Sequence, residues 1–127
     1  MVRILDEITK EQLINFQKNA PVPQLIIIKF TADWCGPCKT IKNDCIKFRD
    51  QLCDNIGYCE VDIDEHIELY ASFKQKKMVK GIPALLAFYA GKQNLEHWYI
   101  PDDSIVGADK DGLLQFFQRC QSHATKL

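Results

Sequence analysis

The chain has 127 residues, 46% apolar and 26% charged, which suits one buried core and excludes a disordered segment. With 16 Lys and Arg against 17 Asp and Glu, the formal net charge is -1, so no global field draws it to nucleic acid or anionic lipid. No apolar run is long enough to span a bilayer and the start "MVRILDEITKEQL" has no secretory pattern, so the expectation is a single cytoplasmic domain over residues 1–127.

Taken in chain order, Thr9 and Gln12 match a capping box. Leu13, Phe16 and Gln17 then recur at helical spacing, predicting a first helix from Lys10 to Lys18, stopped by Asn19 and Pro21. Leu25 to Phe30 is a continuous apolar, β-branched run, the pattern of a strand covered on both faces. From Pro37 to Leu52, the residues Ile41, Cys45, Phe48 and Leu52 mark the apolar stripe of an amphipathic helix. "GYCEVDID" predicts another interior strand and "EHIELYASFKQKK" a further helix. "GIPALLAFYAGKQNLEHWYI" predicts two strands joined by a tight turn at Ala90-Gly91. Asp109 is placed to N-cap a last helix carrying Leu113, Leu114, Phe117 and Cys120. This order gives an α/β fold, a central mixed β-sheet of four to five strands flanked by helices on both faces.

Cysteines stand at 35, 38, 45, 53, 59 and 120, and only the first two have an informative spacing. Cys45, Cys53, Cys59 and Cys120 read as small buried hydrophobes in a chain with enough core to need no disulfide framework. Cys35 and Cys38 lie in "FTADWCGPCKTIK", separated by Gly36 and Pro37, where a strand hands over to a helix. Pro37 suits the first turn, which needs no intrahelical N–H donor. Cys35 therefore falls at a helix N-terminus, where unpaired N–H groups and the helix dipole favour the thiolate, the form that attacks sulfur. Cys38, one turn on, can close a disulfide with it and points back into the protein. The spacing is also half of a zinc site, but Cys45, Cys53, Cys59, His66, His97 and His123 supply no second pair at ligand spacing. A metal-free redox dithiol is the preferred reading.

"WCGPCK" at Trp34 to Lys39, "GIPALLAF" from Gly81 and "VGA" at Val106 to Ala108 together resemble the thioredoxin family over nearly the whole chain. The resemblance implies a thioredoxin fold and a protein-disulfide reductase working by dithiol–disulfide exchange. Cys35 would be the exposed nucleophile, Cys38 the resolving thiol and Trp34 a shaper of the adjacent surface. Pro83 would be cis and face the dithiol, with the Ile82 backbone pairing with an extended stretch of substrate. Gly36-Pro37 between the cysteines goes with a reducing dithiol of low potential. No cofactor would be bound; electrons would come from NADPH through a thioredoxin reductase or equivalent donor. The other partners implied are disulfide-containing proteins, met by a monomer.

The chain departs from the family pattern at Lys29, where most members have a buried aspartate beneath the second cysteine. Glu60 matches the position on the neighbouring strand close to that aspartate. One expectation is that Lys29 and Glu60 pair beneath Cys38, with Glu60 accepting a proton or Lys29 acting on the thiol directly; the other is that Lys29 snorkels to solvent. Asn43 replaces a proline common in the helix after the motif, so that helix is expected to be straighter. Two segments exceed the common length: "FKQKKMVK", with Lys74, Lys76, Lys77 and Lys80, and "HWYIPDDSI" from His97. They read either as solvated surface and strand packing or as selectors of an acidic partner. The competing functional class is a docking module within a larger complex, its dithiol idle.

Overall fold

In the computed structural model, which describes residues 1–19, 22–92 and 95–126, the elements run β1 (Arg3–Leu5), α1 (Lys10–Asn19), β2 (Leu25–Thr31), α2 (Gly36–Asp50), β3 (Ile56–Asp62), α3 (Ile67–Gln75), β4 (Ala84–Tyr89), β5 (Asp103–Val106) and α4 (Lys110–Thr125). The strands form one sheet in the order β1-β3-β2-β4-β5. β3 pairs in parallel with β1 and β2, while β4 runs antiparallel to β2 and β5. The sheet is therefore mixed, with five strands among the described residues.

Strand alternation sorts the core into two layers. On β2, Leu25 and Ile27 join Ile41 and Cys45 of α2 and Leu113, Phe116 and Phe117 of α4. Ile26, Ile28 and Phe30 turn to the other face and join Leu13 and Phe16 of α1 and Leu69 and Phe73 of α3. Lys29 has the parity of Leu25 and Ile27, which directs it beneath α2.

Local signals fix most helix starts. Thr9 and Gln12 close a reciprocal capping box: Gln12 N donates to Thr9 Oγ1 at 3.1 Å, and Thr9 N donates to Gln12 Oε1 at 2.9 Å. Asp109 N-caps α4, its carboxylate accepting from Gly112 N at 3.0 Å. Helix α3 is shorter than "EHIELYASFKQKK" because it ends in a Schellman motif. Lys77 adopts φ 61°, Met78 N donates to Phe73 O at 2.9 Å and Lys77 N to Lys74 O at 3.0 Å.

β1 has no signal in the sequence: three residues carry no readable period, and pairing of Arg3, Ile4 and Leu5 with Gly57, Tyr58 and Cys59 is what makes them a strand. The expected tight hairpin at Ala90-Gly91 is overturned. Gly91 N and Lys92 N both donate to Gln17 O of α1, at 2.9 and 2.8 Å, so the chain leaves the sheet instead of folding back. The aromatic run read as a strand is instead a plug. Trp98 packs edge-on against Phe73 at 5.7 Å, and its carbonyl accepts from Gln17 Nε2 at 3.0 Å. The strand beside β4 comes later, pairing Ala84 with Val106 and Ala87 with Asp103. Pro21, expected to stop α1, and Gln93 and Asn94 of the expected second strand lie outside the described residues.

Cys45, Cys59 and Cys120 are buried free thiols, whereas Cys53 is half-buried. Burial pushes the Cys59 thiol up to about 11 and the Cys120 thiol up to about 12. The unfolded chain sheds these protons from about pH 8.5, so above that value the folded state binds more protons and loses stability. The urea midpoint should fall between about pH 8 and about pH 10, each such thiol contributing about 1.4 kcal/mol per pH unit; an unchanged midpoint would contradict their burial. Phe73→Ala, at the fully buried junction of α3 and the Trp98 plug, should cost about 3–5 kcal/mol in the same measurement. Ile46→Ala, exposed on α2, should cost no more than about 0.5 kcal/mol.

Candidate active site

β2 delivers the chain to residues 32–34, and α2 starts immediately afterwards with Cys35 as its N-cap at φ -84°, ψ 109°. Extended geometry there turns the Cys35 side chain back over the first turn, where its Sγ accepts from Cys38 N at 3.1 Å. Pro37 occupies the first turn, and Lys39 N donates to Cys35 O at 3.2 Å. Gly36 and Pro37 are both exposed, so they form the outer surface of this turn. Cys35 and Cys38 are joined as a disulfide, their Cα atoms 5.2 Å apart.

Opposite the disulfide lies the loop that begins β4. The Ile82–Pro83 bond is cis, as the resemblance implies, and the Ile82 carbonyl oxygen lies 3.8 Å from Cys35 Sγ. Pro83 O accepts from Gly107 N at 2.8 Å, which ties this loop to the end of β5. Gly107 sits at φ +93°, a conformation that side chains disfavour. A second cis bond, Val22–Pro23, precedes β2 and had no signal in the sequence.

Trp34 is 66% exposed beside the disulfide, with its indole Nε1 donating to Asp64 Oδ2 at 2.8 Å. Asp64 is itself placed by the turn after β3, its N–H donating to Asp62 Oδ1 at 2.9 Å. Sequence reasoning gave Asp64 no part. The signal was an aspartate in the loop after an interior strand, but only the fold shows that this loop reaches Trp34.

Cys35 is not exposed, in contrast to the expectation from resemblance: it is 4% exposed and Cys38 3%. The cause is local packing. Ile63 from the loop after β3 and Ile82 from the cis-proline loop lie against the pair, together with Ala32.

Lys29 is 2% exposed, so it does not snorkel to solvent. Its register partner across the parallel ladder is Glu60, and Lys29 Nζ lies 3.8 Å from Glu60 Oε2. The carboxylate side is wet, at 48% exposure. Lys29, Glu60 and Cys38 line one cavity of about 330 Å³ that opens behind the disulfide. Cys45, read from the sequence as an inert core thiol, stands next to this lysine; burial pushes its thiol up while the Lys29 ammonium pulls against that shift.

The two long segments meet on the α3 side. Lys76 Nζ lies over the Tyr99 ring at 5.0 Å and Lys74 Nζ over Tyr70 at 5.7 Å, while Lys77 and Lys80 are exposed. Among the described residues no three His, Cys, Asp or Glu side chains converge as metal ligands, and no helix is long and apolar enough to cross a membrane.

A thioredoxin family model matches residues 7–119. The chain is 32% identical over 109 residues to a thioredoxin H-type of Ricinus communis, covering 86% of this chain and 79% of that protein. It is 33% identical over 90 residues to the TPR repeat-containing thioredoxin TDX of Oryza sativa subsp. japonica, covering 71% of this chain but 24% of that protein. Across three of the curated relatives the match spans less than two thirds of their length, from 24% to 62%. Among solved structures, thioredoxin from Trypanosoma brucei brucei superposes with a TM-score of 0.63 at 25% identity, over 92% of this chain and 89% of that one. A match of this extent, on a fold shared almost from end to end, places the chain in the thioredoxin family.

Proposed function

We propose that the chain is a protein-disulfide reductase that works by dithiol–disulfide exchange. One observation carries the reading: the Cys35 sulfur, held by the Cys38 N–H at the head of α2, faces the Ile82 carbonyl of the cis-proline loop at 3.8 Å. This arrangement supports reading Cys35 as the nucleophile, Cys38 as the resolving thiol and the Ile82 backbone as the group that meets the substrate.

In the reduced protein, Cys35 attacks as the thiolate, which the Cys38 N–H and the helix N-terminus stabilise. Its sulfur bonds to one substrate sulfur and the other leaves as a thiolate. Cys38 then attacks Cys35 Sγ, forming the disulfide observed and expelling the second substrate sulfur. Two electrons pass to the substrate, and its two thiolates take protons from water. An extended substrate segment pairs with the Ile82 backbone, so main-chain groups supply affinity and many sequences are accepted. Trp34, fixed by Asp64, forms the apolar wall beside it. The cycle restarts when two electrons return from NADPH through a thioredoxin reductase or an equivalent donor, with no cofactor resident on the chain.

Purified protein with a chemical thiol as electron source should reduce insulin disulfides, and Cys35→Ser should abolish turnover. Cys38→Ser should instead accumulate a covalent mixed disulfide with the substrate. Folded protein with titratable Cys35 and Cys38 but no turnover would point to the docking module. Lys77 and Lys80 stand exposed just before the cis-proline loop, where they favour acidic substrate segments. The double variant Lys77→Glu with Lys80→Glu should raise KM for an acid-rich disulfide protein about two- to fivefold, the scale of one or two exposed ion pairs. Reduction of a small neutral aromatic disulfide should be unchanged; equal loss on both substrates would remove the charge argument.

A further inference from the structure

We propose that Lys29 is the counter-ion of the Cys38 thiolate, so that this protein readies its resolving sulfur with a buried cation rather than with a proton acceptor. The inference rests on the reductase reading and names the group that governs its second step. Among the described residues Lys29 is the one charged side chain in the buried class. It shares a cavity with Cys38, and among the described residues the carboxylate that pairs with it is Glu60, at 3.8 Å, well beyond the 2.7–2.9 Å of a tight charge-assisted bond. An ammonium taken out of water and held that loosely is short of negative charge.

The neighbouring thiol does not supply it. Cys45 lies two turns after Cys38 on the same face of α2, but burial pushes its thiol up despite the lysine, so it stays neutral at ordinary pH. Cys38 differs in position: it stands in the first turn of α2, where the helix N-terminus favours an anion, and it lines the cavity, which Cys45 does not. Breaking the Cys35–Cys38 bond with two electrons from a dithiol donor leaves two sulfur anions, and the one on Cys38 forms at the wall of the cavity that Lys29 lines.

Other charges face this cavity from every side. Asp6 comes from the segment before α1, Asp33, Lys39 and Lys42 from α2 and the turn before it. Asp62, Glu65 and His66 come from the end of β3 and the loop after it, beside Glu60. All are exposed or half-buried, where the dielectric approaches that of water. At equal distance a charge felt through protein, with an effective dielectric near 20, counts about four times one felt through water. Per charge and at the same distance, buried Lys29 therefore acts more strongly on Cys38 than any one group of the rim.

The consequence lies in the resolving step. Cys38 is already a thiolate when the mixed disulfide forms, so its attack on Cys35 Sγ needs no base. The substrate sulfur departs as a thiolate, protonated by solvent.

The test is the pH dependence of iodoacetamide alkylation at Cys38, read by peptide mass spectrometry in a Cys35→Ser background. Lys29→Met, which fills the same volume without charge, should raise the midpoint by about one pH unit or more, and Lys29→Arg should keep it low. Should Lys29→Met fail to fold, Glu60→Gln on the wet side of the pair gives the independent reading: removing the competing anion should lower the midpoint. A midpoint unmoved or lowered by Lys29→Met, or unmoved or raised by Glu60→Gln, overturns the proposal. Insulin reduction by the unmodified protein reports separately on the reductase reading, so the two can fail independently.

Discussion

Both faces of β2 are buried, and the rest of the molecule is arranged around that constraint. A strand sandwiched between helices must give alternate side chains to opposite layers, so Leu25 and Ile27 pack under α2 and α4 while Ile26, Ile28 and Phe30 pack under α1 and α3. The same alternation places residue 29 inside, in the layer of Leu25 and Ile27. It lies under α2, close behind the end of the strand from which the chain turns into the disulfide. Parallel pairing with β3 then brings Glu60 to its side.

Burying that lysine has a cost, and the fold meets it only in part. One carboxylate at 3.8 Å leaves the ammonium incompletely paired beside the cavity of about 330 Å³ that it shares with Cys38. A structural ion pair of no further use would be replaceable by apolar side chains, often with a gain in stability. The position of this pair next to Cys38 gives a chemical reason for keeping it, because the charge that the lysine lacks is the one that reduction creates.

The other half of the site comes from a different part of the sheet. Pro83 opens β4, and its carbonyl is tied to Gly107 at the end of β5, so the pairing of β4 with β5 fixes how the loop faces the disulfide. The detour between those strands is held against α1 by the hydrogen bonds to Gln17 and against α3 by Trp98. Aromatic residues that have a strand's composition thus close the layer of α1 and α3 instead, and Lys76 of the adjoining segment lies over the Tyr99 ring.

Where the information is local, the sequence by itself determined the outcome: the capping box at Thr9, the buried run of β2, the stripe of α2, the cap at Asp109 and the two cysteines at the head of a helix. Each depends on neighbours within a few residues, where backbone geometry and side-chain spacing leave one sensible reading. The family signature added the cis bond at Pro83, which spacing alone does not dictate. What only the tertiary structure decided depends on contacts between distant segments. Three residues become β1 because β3 lies beside them, and Gly91 starts no hairpin because Gln17 captures the chain. Asp64 reaches Trp34, Cys35 is shielded by Ile63 and Ile82, and Lys29 is buried rather than solvated. Burial and long-range hydrogen bonds are properties of the packed chain, so no window of sequence holds them.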